Sequence, residues 1–116
     1  MGRCETTIER LTASGIIYYD PNGVMIFHEN IGGQCFAMCE RDLARRFDIF
    51  NRRLKKKGRA TYNEFCAVMD IKPMKWLGDI IGWDETDNVL YELKESRGEY
   101  PITEIIFSAA PRRLWR

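Results

Sequence analysis

The segment that decides the fold is CFAMCERDLARRFDIFNRRLKKK, residues 35–57. Its apolar residues recur at three-, four- and seven-residue steps, which places them on one narrow stripe of a helix. Gly58 follows directly and predicts the helix end, because glycine readily adopts the left-handed backbone that closes a helix. The pattern predicts one long amphipathic helix over 35–57, with a buried stripe of Phe36, Leu43, Phe47, Phe50 and Leu54.

The opposite side of this helix is strongly basic. Between Arg41 and Arg59 the sequence carries nine basic residues against two acidic ones, a local charge of +7. Such a face can neutralise nucleic-acid phosphates or dock on an acidic protein. The alternative is a helix that only solvates its outer side, offset by six acidic residues between Asp84 and Glu99. The candidate binding residues on the helix are Arg41, Arg45, Arg46, Arg52, Arg53 and Lys56.

The C-terminal segment PRRLWR, residues 111–116, is a second candidate anchor. It places a tryptophan among arginines, and both residue types are enriched at binding hot spots. A frayed chain end is the alternative. The segment adds Arg112, Arg113 and Trp115 to the candidate binding residues.

The N-terminal part predicts a helix followed by a hairpin. Thr6 and Glu9 have the spacing of a capping box, which predicts a short first helix ending near Gly15. The β-branched and aromatic runs 16–19 and 24–29 flank a turn that contains proline and glycine. This pattern predicts that the two runs pair as a β-hairpin.

The C-terminal part predicts a helix and two strands. Thr61 and Glu64 form a second capping box, and Pro73 marks the end of the helix that it opens. Residues 74–83 are apolar and are interrupted by two glycines, which fits either a short helical turn or a close-packed loop; we expect Trp76 and Trp83 in the core. The runs 89–93 and 102–107 predict two more strands.

Together these elements predict an α+β fold, in which a small antiparallel sheet packs on the long amphipathic helix and shorter helices. The N-terminal hairpin and the C-terminal strand pair would make the sheet. The 116 residues, 45% of them hydrophobic, suit a single domain over 1–116, made of a helix and hairpin (1–33), a helical and hairpin portion (34–110) and a basic tail (111–116).

No apolar run is long enough for an export signal or a membrane span, so we expect a cytoplasmic protein without membrane contact. The overall charge of +1 favours no class of partner. In that compartment the four cysteines should stay reduced, and we expect them to be small buried hydrophobic residues. They are Cys4, Cys35, Cys39 and Cys66.

The sequence gives little support for metal or catalytic chemistry. Cys35 and Cys39 form one ligand pair, and structural zinc sites need a second. His28 is the single histidine, and no nucleophile elbow, metalloprotease helix or phosphate-binding glycine loop is present. An acidic cluster could hold a divalent ion but is more typical of a solvated turn. We therefore expect neither catalytic residues, metal nor cofactor, and no enzyme; the acidic cluster is Asp79, Asp84, Glu85 and Asp87.

The segments GRATYNEF (58–65), MDI (69–71) and LGDIIGW (77–83) resemble a small domain that tailed phages and integrated mobile elements encode. The motif Gly-Asp-x-x-Gly-Trp, residues 78–83, is the most distinctive part, and the resemblance spans about residues 41–107. No biochemical activity is assigned to this family. The resemblance therefore implies a fold piece and a bacterial host cell, and leaves the N-terminal part outside.

From these observations we hypothesise a non-enzymatic phage or mobile-element protein that binds a host macromolecule, such as an inhibitor of a bacterial defence system, for example a CRISPR effector. One alternative is an accessory protein that binds nucleic acid through the basic helix, residues 41–59. Another is a component of the virion or of its assembly. The expected partner is a host protein, or else nucleic acid.

Overall fold

The structure is a computed structural model that describes residues 8–12, 15–19, 22–95 and 102–114, with side chains from residue 22 onward. Its strands are β1 (Ile8–Thr12), β2 (Gly15–Tyr19), β3 (Val24–Glu29), β4 (Cys35–Cys39), β5 (Arg59–Thr61), β6 (Ile81–Asp84), β7 (Tyr91–Glu95), β8 (Thr103–Phe107) and β9 (Arg112–Arg113). Its helices are α1 (Glu40–Lys57), α2 (Tyr62–Met69) and a 3₁₀ turn (Trp76–Asp79).

Helix α1 is shorter than predicted. It begins at Glu40, because Cys35–Cys39 forms strand β4 and Cys39 caps the helix by accepting the Asp42 N–H on its sulfur at 3.3 Å. Gly58 ends it as expected, in the left-handed conformation with φ 87°. The predicted stripe faces the core over the helix itself, through the buried residues Leu43, Phe47, Phe50 and Leu54.

The main sheet has the strand order β4-β3-β8-β7. The pairs β3–β4 and β7–β8 are antiparallel, but β3 and β8 run parallel at the centre. The C-terminal strand pair is confirmed as β7–β8, and the prediction of an antiparallel sheet is wrong at its centre. The two antiparallel pairs are far apart in sequence. Which of their strands pair with each other therefore depends on tertiary packing and is not encoded in local sequence patterns.

The predicted pairing of the N-terminal strands is also wrong. β2 and β3 both form as strands, but β2 pairs antiparallel with β1, and β3 pairs with β4 and β8. β1 occupies residues expected to be helical, and β-branched residues on both strands favour the extended form. Thr6, on which the helix prediction depended, lies outside the described residues.

A second sheet, of order β5-β6-β9, contains the end of the distinctive motif. Thr61 caps α2 by accepting the Glu64 N–H at 3.1 Å, as predicted. A Cβ at Gly82 would lie 2.1 Å from the Ala60 carbonyl oxygen, so the close approach of β5 and β6 requires glycine there. Residues 74–83 thus combine both expected alternatives, a helical turn followed by a close-packed strand.

An aromatic cluster joins the two sheets to both helices. Phe65 of α2 lies 5.4 Å from Phe50 of α1, 5.9 Å from Trp83 of β6 and 5.5 Å from Phe107 of β8, measured between ring centroids. Trp83 is fully buried, as expected, and its indole N–H donates to the Ala109 carbonyl at 2.9 Å. The prediction that Trp76 belongs to the core is wrong, since its side chain is 72% exposed.

A buried carboxyl group ties the β3–β4 turn to α2. Glu29 is fully buried and accepts hydrogen bonds from the Tyr62 hydroxyl at 2.8 Å and from the backbone N–H groups of Gly32 and Gln34 at 2.7 and 2.8 Å. Burial and this hydrogen bond to Glu29 raise the pKa of Tyr62 above its ordinary value, so the hydroxyl stays a donor. The turn is therefore fixed to the core through a polar contact.

We expect Tyr62→Phe to lower the free energy of unfolding by about 1–3 kcal/mol, because a buried carboxyl oxygen loses a donor that water cannot replace. Urea unfolding followed by circular dichroism measures this change. Tyr91→Phe is the control, since it removes a hydroxyl from a half-buried tyrosine of β7. An equal loss of unfolding free energy in the two variants would show that the hydrogen bond to Glu29 stabilises the fold no more than the hydroxyl of a half-buried tyrosine does.

Candidate macromolecule-binding surface

The predicted basic residues of α1 lie on its solvent side, opposite the buried stripe. Arg41, Arg45, Arg52 and Lys56 are all exposed and follow one line along the helix. At the rise of an α-helix this line is about 22 Å long. We call these four residues the cationic face; the structure brings them together as the sequence predicts.

The cationic face also carries negative charge. The exposed Asp48 lies within it and pairs with Arg52 at 3.1 Å, and Asp42 on its flank pairs with Arg45. Hydrogen bonds from Arg45 and Arg46 hold the pKa of Asp42 below its ordinary value, against the opposing effect of burial. The face is therefore net positive but mixed in sign.

Two other predicted binding residues of α1 differ in setting. Arg46 is partly buried; its guanidinium binds Asp42 at 2.9 Å and donates to the Val68 carbonyl of α2 at 2.8 Å. It therefore acts as a link between the helices more than as a binding group. Arg53 is exposed on the flank of the cationic face and remains a candidate.

The residues of the predicted C-terminal anchor do not share one setting. Arg112 binds Asp84 at 2.5 Å and Asp87 at 2.9 Å, so it is held against the turn after β6. Arg113 belongs to β9 and pairs with Ile81 of β6. Trp115 lies outside the described residues.

Three side chains of the acidic cluster are likewise engaged within the fold, those of Asp79, Asp84 and Asp87. The hydroxyl of Thr86 and the guanidinium of Arg112 lower the pKa of Asp84 to about 2, and Asp79 accepts a hydrogen bond from Asn63 at 2.9 Å. Over the described segments, no three histidine, cysteine or acidic side chains lie close enough to hold a metal ion.

The histidine and the cysteines occupy different environments. His28 Nδ1 lies 2.7 Å from Glu104 Oε2, on the outer side of the main sheet. Cys66 is buried, as expected, and burial raises the pKa of its thiol to about 11. The expectation of burial is wrong for Cys35, which is exposed, and only partly met for Cys39, the helix cap. Cys4 lies outside the described residues.

The 3₁₀ turn forms an exposed apolar knob that the sequence pattern did not indicate. Trp76 is 72% exposed and Leu77 39% exposed. Asn63 holds the approach to this turn by a pair of hydrogen bonds with the Met74 backbone at 2.7 and 2.8 Å. Gly78 was the available sequence signal for close packing at this turn, because a Cβ at that position would lie 2.1 Å from Asn63 Oδ1.

Comparison with protein-family models, with curated proteins and with solved structures gave no match. In the part of the chain that the structure describes, no helix is long and apolar enough to cross a membrane.

We expect Asp84→Asn to lower the melting temperature near neutral pH, because the Arg112 ion pair is lost. The lowered pKa of Asp84 means that its contribution is complete above its ordinary value of 3.8 and disappears as the pH falls to about 2. The melting curves of the two proteins should therefore converge at about pH 2. Differential scanning fluorimetry across this range measures the convergence, and a difference that persists at the acid end would contradict it.

Proposed function

We propose that the chain is a non-enzymatic phage or mobile-element protein that binds a host protein and inhibits a bacterial defence system, such as a CRISPR effector. The observation that carries the proposal is the cationic face of α1, an exposed row of basic side chains on a rigid helix. The helix is fixed by its buried stripe, so the row is presented without a change in fold.

The mixed sign of this face favours a protein partner over nucleic acid. Asp48 is 70% exposed within the row, and Arg52 beside it is 71% exposed. A carboxylate in this position repels a phosphate backbone, whereas protein interfaces match charges of both signs and gain specificity from them.

The exposed apolar knob, Trp76 and Leu77, is further support for a protein partner. Tryptophan is enriched at binding hot spots, and the turn that carries it is held by the Asn63 side chain. The phage or mobile-element origin rests on the resemblance of about residues 41–107. The defence target is proposed from that origin together with the small size of the chain, the lack of catalytic motifs in its sequence and its segregated charge. The compartment proposed is the cytoplasm of the bacterial host.

We expect the triple variant Arg45→Glu, Arg52→Glu, Lys56→Glu to bind the host protein at least about a hundredfold more weakly, because like charges would then face each other at the interface. The wild-type chain is immobilised, the stoichiometric partner is isolated from host lysate, and its affinity is measured with the purified components. A plasmid-interference assay then reports inhibition of the defence effector.

The double variant Arg52→Glu, Lys56→Glu should show the same loss, and its matched control is Lys72→Glu, Lys94→Glu. The control changes two exposed lysines outside both α1 and the 3₁₀ turn, by the same total charge. This control should retain the partner and the inhibition. Loss of binding in the control alone, or equal loss in both variants, would contradict the assignment to the cationic face.

Binding of nucleic acid through the same face is the second candidate, favoured by the four aligned basic side chains alone. Four phosphate contacts would make the affinity fall with salt at a logarithmic slope of about −3.6 on duplex DNA. Fluorescence anisotropy with DNA and RNA at low salt tests it. Binding of DNA or RNA that is lost in the α1 triple variant would favour this candidate over the protein partner. Cosedimentation of the chain with phage particles would instead favour a virion component.

A further inference from the structure

The two edges of the main sheet differ in chemistry. Strand β7 forms one edge and carries charges at Glu92, Lys94 and Glu95. Among the strands that the structure describes, β4 forms the other edge; it reads CFAMC, with neither a charged residue nor a proline. Proteins usually protect sheet edges with charges, prolines or bulges, because an open edge is a template for another strand. β4 lacks all of these side-chain devices.

The register identifies which backbone groups β4 presents. Glu29 donates its N–H to the Gln34 carbonyl at 3.0 Å, so Gln34 is a hydrogen-bonded position of the β3–β4 ladder. Hydrogen-bonded positions alternate along an antiparallel pair. Phe36 and Met38 therefore also bond towards β3. Cys35 and Ala37 direct both backbone groups to the open edge, and Cys39, the cap of α1, directs its N–H there. Cys35 and Ala37 are exposed there.

The sequence of β4 is complementary to itself. Read in either direction from Ala37, it places a large apolar residue and then a cysteine. A two-fold axis at Ala37 would set Phe36 opposite Met38 of the second copy and Cys35 opposite Cys39 of the second copy. No charge therefore meets a like charge at this junction.

From the open edge, the register and this symmetry we infer that two copies of the chain dimerise by antiparallel pairing of β4 with β4. The Ala37 N–H of each copy donates to the Ala37 carbonyl of the other, and the Cys39 N–H donates to the Cys35 carbonyl of the other. The two sheets become one continuous sheet. Dimers with two-fold symmetry are the commonest homo-oligomers.

Burial at the junction adds to the pairing. Phe36 and Met38 are only partly buried against the core, and the second copy's strand would cover their open side. The inference does not depend on the proposed inhibitor function.

Sedimentation velocity on the full chain under reducing conditions tests the dimer. We expect a species of twice the 13.6 kDa chain mass. Ala37→Pro should weaken dimerisation about thirtyfold, because one N–H donor is lost from each copy while the β3–β4 ladder keeps its bonds. A monomeric wild-type chain would overturn the inference, and so would an Ala37→Pro variant that dimerises with the same affinity as the wild type.

Ile26→Glu is the matched control, because it places a charge on the outer face of β3 without touching the open edge. It should dimerise like the wild type; loss of the dimer in this variant alone would mean that the outer faces stack and that the edge does not pair. Circular dichroism checks the fold of each variant. Ala37→Glu replaces Ala37→Pro if proline prevents folding, since two like charges would face each other at the axis.

Thiol oxidation gives a second and independent readout. Paired hydrogen-bonded residues have Cα atoms about 5.5 Å apart, within the range of a disulfide. In a Cys4→Ser background, oxidation of the thiols by diamide should link Cys35 of each copy to Cys39 of the other and give a covalent dimer on a non-reducing gel. Either Cys35→Ser or Cys39→Ser should abolish it. A covalent dimer that survives in Cys39→Ser would contradict this register.

Discussion

Phe65 lies where α1, the three-stranded sheet and the main sheet meet, and its aromatic contacts determine how these parts are arranged. Its ring packs within about 6 Å of the rings of Phe50, Trp83 and Phe107, which come from three different elements. Because side chains in a protein core are close-packed, none of these elements can shift without opening space around Phe65. The helix is thereby held with its stripe inward, and the basic residues of α1 are left on the surface.

The polar contacts around this core explain which charges are available to a partner. Arg112 neutralises the acidic turn after β6, and Arg46 links α1 to α2. Asp84 and Asp87 are therefore paired with Arg112 and not with the basic helix. The cationic face, with Asp48 inside it, is exposed, a pattern suited to a complementary surface.

The sequence predicted those parts of the fold that depend on neighbours along the chain. The stripe of α1, the Gly58 helix end, the Thr61 cap and the strands of the C-terminal pair follow from local spacing and capping chemistry. The pairing partners of β2 and β3 could not be predicted from local spacing, because any adjacent alternating run is an acceptable partner until the whole sheet is assembled. Phe36 shows the same difficulty: it keeps helical spacing with Leu43, but five residues of alternation place it in β4. The exposure of Trp76 also depends on tertiary structure, since the distant Asn63 side chain fixes the backbone at Met74, just before the turn that carries Trp76.

The parallel pairing of β3 with β8 has a consequence for synthesis of the chain. His28 and Glu104, which face each other across this pair, are 76 residues apart in sequence. During translation β3 and β4 leave the ribosome long before β8 exists, so the nascent hairpin has two open edges while the rest of the chain is made. Closure of the sheet then awaits residues near the C-terminus, and long-range pairing of this kind folds slowly. During this interval the open edges of the hairpin are therefore exposed to pairing with strands of other chains.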